Sequence, residues 1–235
     1  MIRGIGLYAP DRVVAEWKGL ADADRQAAAA DLREARERGR SVDGAFVWAG
    51  LFEPTAAELD LVCQEFGLPR LLVDDAGNPN QRAKFELDHE GYGLALLKTL
   101  DYLEESSDVR TGQLAVLVGS DYVVTIRFGP FGDLESLRSR VASESRLRET
   151  GPHAVLYAVL DLVVDGYLDV VDHVGIDVEN LETEVFAGDP AAGIAKHVYH
   201  LKRETVEMRR ALGPLVPVAQ DSVGGRLAWV PGDLT

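Results

Sequence analysis

Asp161, Asp165, Asp169 and Asp172 are spaced four, four and three residues apart, so on a helix they line one side. Like charges at such spacing cost a few tenths of a kcal/mol per pair, about the scale of a surface ion pair. Two kinds of chemistry fit the stripe. It can be a solvated face, paired in part with Lys202, Arg203, Arg209 and Arg210 of the next helical segment. Or part of it can hold a hard divalent cation such as Mg²⁺ or Ca²⁺, which takes carboxylate oxygens. Adjacent Asp74 and Asp75 pose the same choice; by themselves they read as first-turn helix acids favoured by the macrodipole. His197 and His200, at i,i+3, have a spacing that can bind Zn²⁺ or Co²⁺, yet no Cys or third close His completes a site, so a solvated pair is the simpler reading. His89, His153 and His173 are scattered and suggest no triad. Cys63 falls with Leu59, Val62 and Phe66 on an apolar helical face, the setting of a buried, inert thiol. Gly91-Tyr92-Gly93 lacks the rest of a dinucleotide fingerprint, and no Gly-Lys-Ser/Thr phosphate loop occurs.

The elements that must position these side chains follow from periodicity. Leu156, Leu160, Val163, Tyr167, Val171, Val174, Val178, Leu181 and Val185 step by fours and threes, the seam of a long amphipathic helix. Ala187-Gly188-Asp189-Pro190 supplies a helix stop and a helix start. Ile194, Val198, Leu201, Thr205, Met208, Leu212 and Leu215 then resume the spacing, which predicts an antiparallel helical hairpin. Before it, Ile2–Tyr8 and Val13–Trp17 read as strands around a Pro10-Asp11 turn, and the Ala-, Arg- and Glu-rich run from Leu20 to Glu37 reads as a helix closed by Gly39. Phe46–Leu51 is a strand, and Thr55 with Glu58 forms a capping box for a helix through Phe66 to Gly67. The apolar runs Gly93–Leu100, Leu114–Val118 and Tyr122–Phe128 follow, the last two joined across Gly119-Ser120-Asp121 as a hairpin. Asp133 caps a further helix to about Val141, and Ser143–Gly151 is the expected domain junction. The fold class is therefore α+β or α/β: a mixed sheet covered by helices on both faces, followed by a long antiparallel helical hairpin. The expected division is an α/β domain over 1–147, the hairpin over 148–220 and a tail over 221–235.

Several pieces, in order, resemble the cytoplasmic region of the CorA magnesium/cobalt transporters. They are Leu68-Pro69, Leu71-Leu72-Val73-Asp74-Asp75, Asn80-Gln81-Arg82-Ala83-Lys84, Leu156 through Asp161, Val164-Asp165-Gly166-Tyr167, Leu181-Glu182 with Glu184-Val185-Phe186, and Leu201-Lys202-Arg203-Glu204 through Pro214-Leu215. The resemblance covers roughly residues 46 to 220. Asp74 stands where Glu is common in that family, Ala83 replaces a Pro, and Ala76-Gly77 is a weaker helix start than the apolar pair usual there. The resemblance implies a pentamer whose closed state is held by Mg²⁺ bound between cytoplasmic domains. By position it makes Asp75 a ligand at the subunit boundary, and Asp74 and Asp161 a neighbouring inner site, for Mg²⁺ or, as the alternative, Co²⁺. The three carboxylates are expected to converge. A Zn²⁺-transporting relative is one alternative, and a freestanding Mg²⁺-dependent enzyme using Asp74 and Asp75 is another; non-enzymatic transport is the reading the resemblance favours.

Composition fits. A formal net charge of −15 argues against nucleic-acid and anionic-membrane partners and raises the local cation concentration. One cysteine cannot form an internal disulfide. Met1-Ile2-Arg3 does not open a signal peptide, so the chain is expected to be soluble and to lie on the cytoplasmic face of the membrane. No run of about twenty apolar residues occurs, and neither Met1 nor Met208 stands in a Gly-Met-Asn tripeptide, the pore signature of that family. Contact with the membrane is expected only through segments beyond Thr235, where the reading frame should encode a long helix bearing an acidic residue and two apolar spans. Lacking those, the chain is expected to be a monomer or a weak homo-oligomer.

Overall fold

The computed structural model describes residues 1–18, 25–87, 92–130, 134–186 and 193–223. In chain order the elements are β1 (Ile2–Tyr8), β2 (Val13–Lys18), α1 (Arg25–Gly39), β3 (Phe46–Phe52), α2 (Ala56–Phe66), α3 (Arg70–Ala76), β4 (Lys84–Leu87), β5 (Gly93–Leu103), β6 (Asp108–Val118), β7 (Tyr122–Phe128), α4 (Leu134–Ser143), α5 (Ser145–Thr150), α6 (Pro152–Phe186), α7 (Ile194–Leu212) and α8 (Leu215–Val223). The strands form one seven-stranded sheet in the order β2-β1-β3-β7-β6-β5-β4. All neighbours are antiparallel except β3 and β7, which pair in parallel.

Alternation along the strands builds two separate cores. Leu94, Leu96, Ala115, Leu117, Val124 and Ile126 face one side, where Leu32 of α1, Val62 and Phe66 of α2, and Leu72, Val73 and Ala76 of α3 cover them. Ala95, Leu97, Leu114, Val116 and Val123 face the other side, under Leu137 and Val141 of α4 and Val155 to Val163 of α6. Because both faces are apolar, the strands read as continuous hydrophobic runs, and a helical layer on each face is the only way to remove them from water. The expected fold class is thereby the observed one.

Expected element boundaries are close, and the capping box is present: Thr55 Oγ1 accepts from Glu58 N–H, and the Glu58 side chain accepts from Thr55 N–H at 2.8 Å. Glu58 also accepts from Ile2 N–H at 3.2 Å, tying the helix start to the edge of β1. Burial pushes the Glu58 carboxyl up, but the Thr55 amide and hydroxyl and the nearby N-terminal ammonium outweigh it and hold it below the usual carboxylate range. Strand β4, which pairs Lys84–Leu87 with Gly93–Leu96, adds to the expected elements. Strands β5 and β6 run further than expected. Their polar outer halves stay paired from Thr99↔Gly112 to Leu103↔Asp108, forming a ribbon that reaches the hairpin helices. The stretch expected to join two domains is itself helical, as α5, with the buried Arg148 bonding the carbonyls of Val141 and Ala142 at 3.0 and 2.6 Å.

The hairpin is antiparallel: Glu184 meets His197 near the connection, and Val170 and Val174 pack with Met208, Ala211 and Leu212 further from it. Its seam differs from the expected one. Val171, Val178 and Val185 are 49%, 41% and 46% exposed, whereas Val170 is buried. On α7 the buried positions are Leu201, Glu204, Met208 and Ala211; Thr205 is exposed. The shift arises because the ribbon, not only the partner helix, covers these faces. Tyr102 donates to Asp177 at 2.5 Å and Tyr167 donates to the Lys98 carbonyl, so the strands fix the rotation of α6. Residues 20–24, His89, Gly91, Asp133 and the Ala187–Pro190 turn, each given a role above, lie outside the described residues.

Two expected outcomes follow from the packing. A Cβ at Gly112 would lie 2.5 Å from the Pro130 carbonyl oxygen and 2.8 Å from that of Phe128, neither of which can retreat without breaking the sheet end. Gly112→Ala should therefore destabilise by about 1–3 kcal/mol in urea unfolding; an unchanged midpoint would show that the strand end yields. Glu58→Gln should cost about 1 kcal/mol at pH 7. Because the folded carboxyl titrates below its unfolded value, that stabilisation is full above the unfolded pKa and is lost as pH falls through the folded one, so wild type and variant should converge in acid, below the folded pKa. A pH-independent gap would assign the effect to packing.

Candidate metal centre

The short helix α3 starts after Pro69, and Asp74 and Asp75 lie in its last turn, before Gly77. They are not first-turn acids, and Ala76-Gly77, expected to open a helix, closes this one. The macrodipole thus opposes these carboxylates rather than favouring them, and neighbouring cations hold them instead. Asp74 is exposed and accepts from Arg70 Nε at 2.8 Å, while the other face of that guanidinium bonds Asp60. Asp75 is better enclosed, with its side chain 19% exposed. Its Oδ2 accepts from Lys84 Nζ at 2.6 Å and its Oδ1 from Gln81 Nε2 at 2.5 Å. Lys84 also bonds Glu86 at 2.8 Å. Burial lowers the affinity of Lys84 for its proton, but the bonds to Asp75 and Glu86 outweigh it and raise the ammonium above the ordinary lysine range. Asp60, Asp74, Asp75 and Glu86 thus share Arg70 and Lys84, so acid outnumbers base along this edge.

Asp161 is elsewhere. It is exposed on α6 and lines a groove of about 180 Å³ with Ser136, Arg140 and Asp165, against α4. Since α3 covers one face of β5 and β6 and α6 covers the other, the sheet stands between Asp161 and the α3 acids. The expected convergence of Asp74, Asp75 and Asp161 therefore does not occur within one chain. Asp165 and Asp169 line a second groove of about 300 Å³ with Asp101, Tyr102 and His173. Among the described residues no salt bridge joins the acidic stripe to Lys202, Arg203, Arg209 or Arg210. Arg203 instead pairs with Glu204 and Asp108. The stripe is a solvated face opening onto grooves.

The remaining candidates separate as well. His197 Nδ1 approaches Glu184 at 3.3 Å, whereas His200 turns to the Ser107 carbonyl at 3.0 Å, so the pair shares no site. Cys63 is half-buried and donates its thiol to the Leu68 carbonyl at 3.0 Å, a structural contact. Asp60 and Arg70 were not expected at the site, because a network crossing from α2 to α3 has no signature in local spacing. Gln81 and Lys84 were visible as part of a run, without their role in holding Asp75.

Among the described residues no helix is long and apolar enough to cross a membrane. The family described as "CorA-like Mg2+ transporter protein" matches residues 43–232. The chain is 26% identical over 152 residues to the cobalt/magnesium transport protein CorA of Thermotoga maritima, a match covering 64% of this chain and 42% of that protein. It thus spans under half the length of that relative. Among solved structures, the soluble domain of CorA from Methanocaldococcus jannaschii superposes with a TM-score of 0.69 at 15% identity, covering 98% of this chain and 83% of that one. The cytoplasmic domain of ZntB from Vibrio parahaemolyticus gives 0.59 at 13% identity, with 98% and 83% covered. At these identities the structural likenesses speak for the fold alone. The family and these relatives are transporters rather than enzymes, and with the family match running through most of its length the chain belongs to the CorA-like Mg²⁺ transporter family.

Proposed function

We propose that this chain is the cytoplasmic, Mg²⁺-sensing part of a CorA-like divalent-cation transporter, with the α/β part over 1–147, the hairpin over 148–220 and a tail over 221–235 leading toward the membrane. Asp75 is the ligand at the boundary between copies, and Asp74 with Asp161 forms an inner site. The observation that supports this most is the acid excess around a half-buried, pre-positioned Asp75. Hard oxygen donors on an acidic chain suit Mg²⁺, with Co²⁺ as the alternative cargo or ligand. Since the sheet lies between α3 and α6, Asp161 completes the site from a second copy, and the sensor is a homo-oligomer, a pentamer in the whole protein. Mg²⁺ then acts by binding one arrangement of subunits better than another, and it shifts the equilibrium only as far as that preference reaches.

Millimolar Mg²⁺ should raise the melting temperature. Saturation at a hundredfold Kd adds about 2.7 kcal/mol, and each kcal/mol is worth about 2–4 °C at this chain length. The rise should grow with protein concentration and shrink in Asp75→Ala and Asp161→Ala. Equal shifts in wild type and both variants would place the ion elsewhere. Assembly gives an independent check. Light scattering on the chain alone should find monomer or weak, concentration-dependent association that Mg²⁺ strengthens; a tight pentamer at micromolar protein with and without Mg²⁺ would overturn the sensing role.

A further inference from the structure

On α7, His200 and Glu204 are four residues apart and share one face of the helix. That face meets the tip of the β5–β6 ribbon. His200 Nε2 lies 3.0 Å from the Ser107 carbonyl oxygen and 3.7 Å from Asp108 Oδ1, and Glu204 Oε2 accepts from Val109 N–H at 2.8 Å. One potential ligand atom from each of Asp108, His200 and Glu204 lies within 4.8 Å of the others. A carbonyl oxygen only accepts, so the hydrogen of this contact sits on His200 Nε2. In the neutral ring Nδ1 is then a bare lone pair, and it faces Glu204 Oε1 at 4.0 Å, on a carboxylate whose side chain is only 3% exposed. The Nδ1 lone pair is thus available to a cation beside a carboxylate already held in place. Arg203 supplies a positive charge from the side: its Nε donates to Glu204 Oε1 at 2.9 Å and its Nη2 to Asp108 Oδ1 at 3.3 Å. Its side chain is 54% exposed, so it can rotate into water without leaving a charge buried.

We propose that Asp108, His200 and Glu204 form a binding site for a first-row divalent transition ion, Zn²⁺ or Co²⁺, and that Arg203 is the tethered cation the ion displaces. An imidazole nitrogen with two carboxylates suits these ions better than Mg²⁺, which prefers an all-oxygen shell. The Nε2–H bond to a backbone carbonyl is the outer-shell contact that fixes the tautomer of a ligating histidine and leaves Nδ1 as donor. Metal–ligand bonds of about 2.0–2.2 Å set tetrahedral donors roughly 3.3–3.6 Å apart, against gaps of up to 4.8 Å here, so the three side chains close on an ion with shifts of about an ångström. The two carboxylates neutralise the ion, and the fourth position stays open to water. Bound there, the ion ties the ribbon tip to α7. The site shares no residue with Asp74, Asp75 or Asp161 and stands independently of the Mg²⁺ reading.

Titration of the full chain with Co²⁺, followed by its visible absorption and by competition with Zn²⁺, tests this. A saturable band should appear, be bleached by one equivalent of Zn²⁺, and persist in millimolar Mg²⁺. His200→Ala should abolish it with the circular dichroism unchanged, whereas His197→Ala should leave it intact. Arg203→Gln should tighten Co²⁺ binding by about tenfold or more, since a charge-assisted hydrogen bond to Glu204 no longer competes. That variant decides the matter if His200→Ala fails to fold. No saturable band at millimolar Co²⁺, an equal band in His200→Ala, or weaker binding in Arg203→Gln would each overturn the proposal.

Discussion

Strands β5, β6 and β7 are apolar on both faces, and that single property arranges everything else. A sheet of this kind must be covered twice, so α1, α2 and α3 pack on one side and α4 and α6 on the other. The same strands therefore carry α3 with its acids and α6 with its stripe, back to back. Glycine at position 112 belongs to this constraint, because Thr99 and the Phe128–Pro130 carbonyls close over it where the ribbon leaves the sheet. Beyond that point, among the described residues, the hairpin is the helix layer on which the ribbon rests. Leu100 and Val109 accordingly join Val170, Met208 and Ala211 in a third, small core.

Charge burial is confined to places where the backbone or a partner compensates it. Arg138 lies over the Trp48 ring at 4.3 Å and donates to the carbonyls of Trp48 and Gly4 at 3.3 Å each. Gly50 leaves it room, since a Cβ there would stand 2.8 Å from the guanidinium. Burial pushes the neighbouring Tyr8 phenol up to about 12, with Arg138 pulling it back and Glu16 pushing it further. Glu58 and Glu204 follow the same rule, each accepting a backbone N–H from a strand, that of Ile2 in β1 and that of Val109 in β6. Such carboxylates are costly to leave unpaired, so they fix how helix and strand meet.

Local features were legible from sequence where a short-range rule decides them. The Thr55–Glu58 box, the Gly67 stop and the Gly119–Asp121 hairpin each depend on neighbours within a few residues, and each is present. The ends of β5 and β6 were not legible, because Asp101, Arg110 and Thr111 look like loop residues until their pairing partner is known. Strand β4 was hidden for the same reason. The helical seam slipped by one residue at Val170 because two surfaces, helix and ribbon, compete for the same face. Glu204 was overlooked as a core residue since a charged side chain at the helical period reads as solvent-facing; its partners come from a strand far away in sequence. At the candidate centre, Asp74 and Asp75 were found by resemblance, but their place at the end of α3 was not, because a seven-residue helix leaves too little periodicity to read.

The hairpin is coupled to the sheet more tightly than its length suggests. At about 1.5 Å per residue, the 35 residues of α6 span roughly 52 Å, and its buried positions end at Val170. Past that point Val171, Ile176 and Phe186 are 49%, 55% and 85% exposed, so apolar contact alone holds the outer half poorly. Hydrogen bonds from the ribbon take over: Tyr167 reaches the Lys98 carbonyl, Tyr102 reaches Asp177, and its ring stacks on His173 at 4.8 Å. Burial raises the Tyr167 phenol well above its ordinary range, so this donor keeps its hydrogen across the whole physiological span. Because β5 meets α6 through the Lys98 carbonyl and the Tyr102 hydroxyl while its Leu94 and Leu96 pack under the α3 layer, one strand is anchored to both. α3 and α6, with the acids they carry, therefore rest on the same strand from the two sides of the sheet.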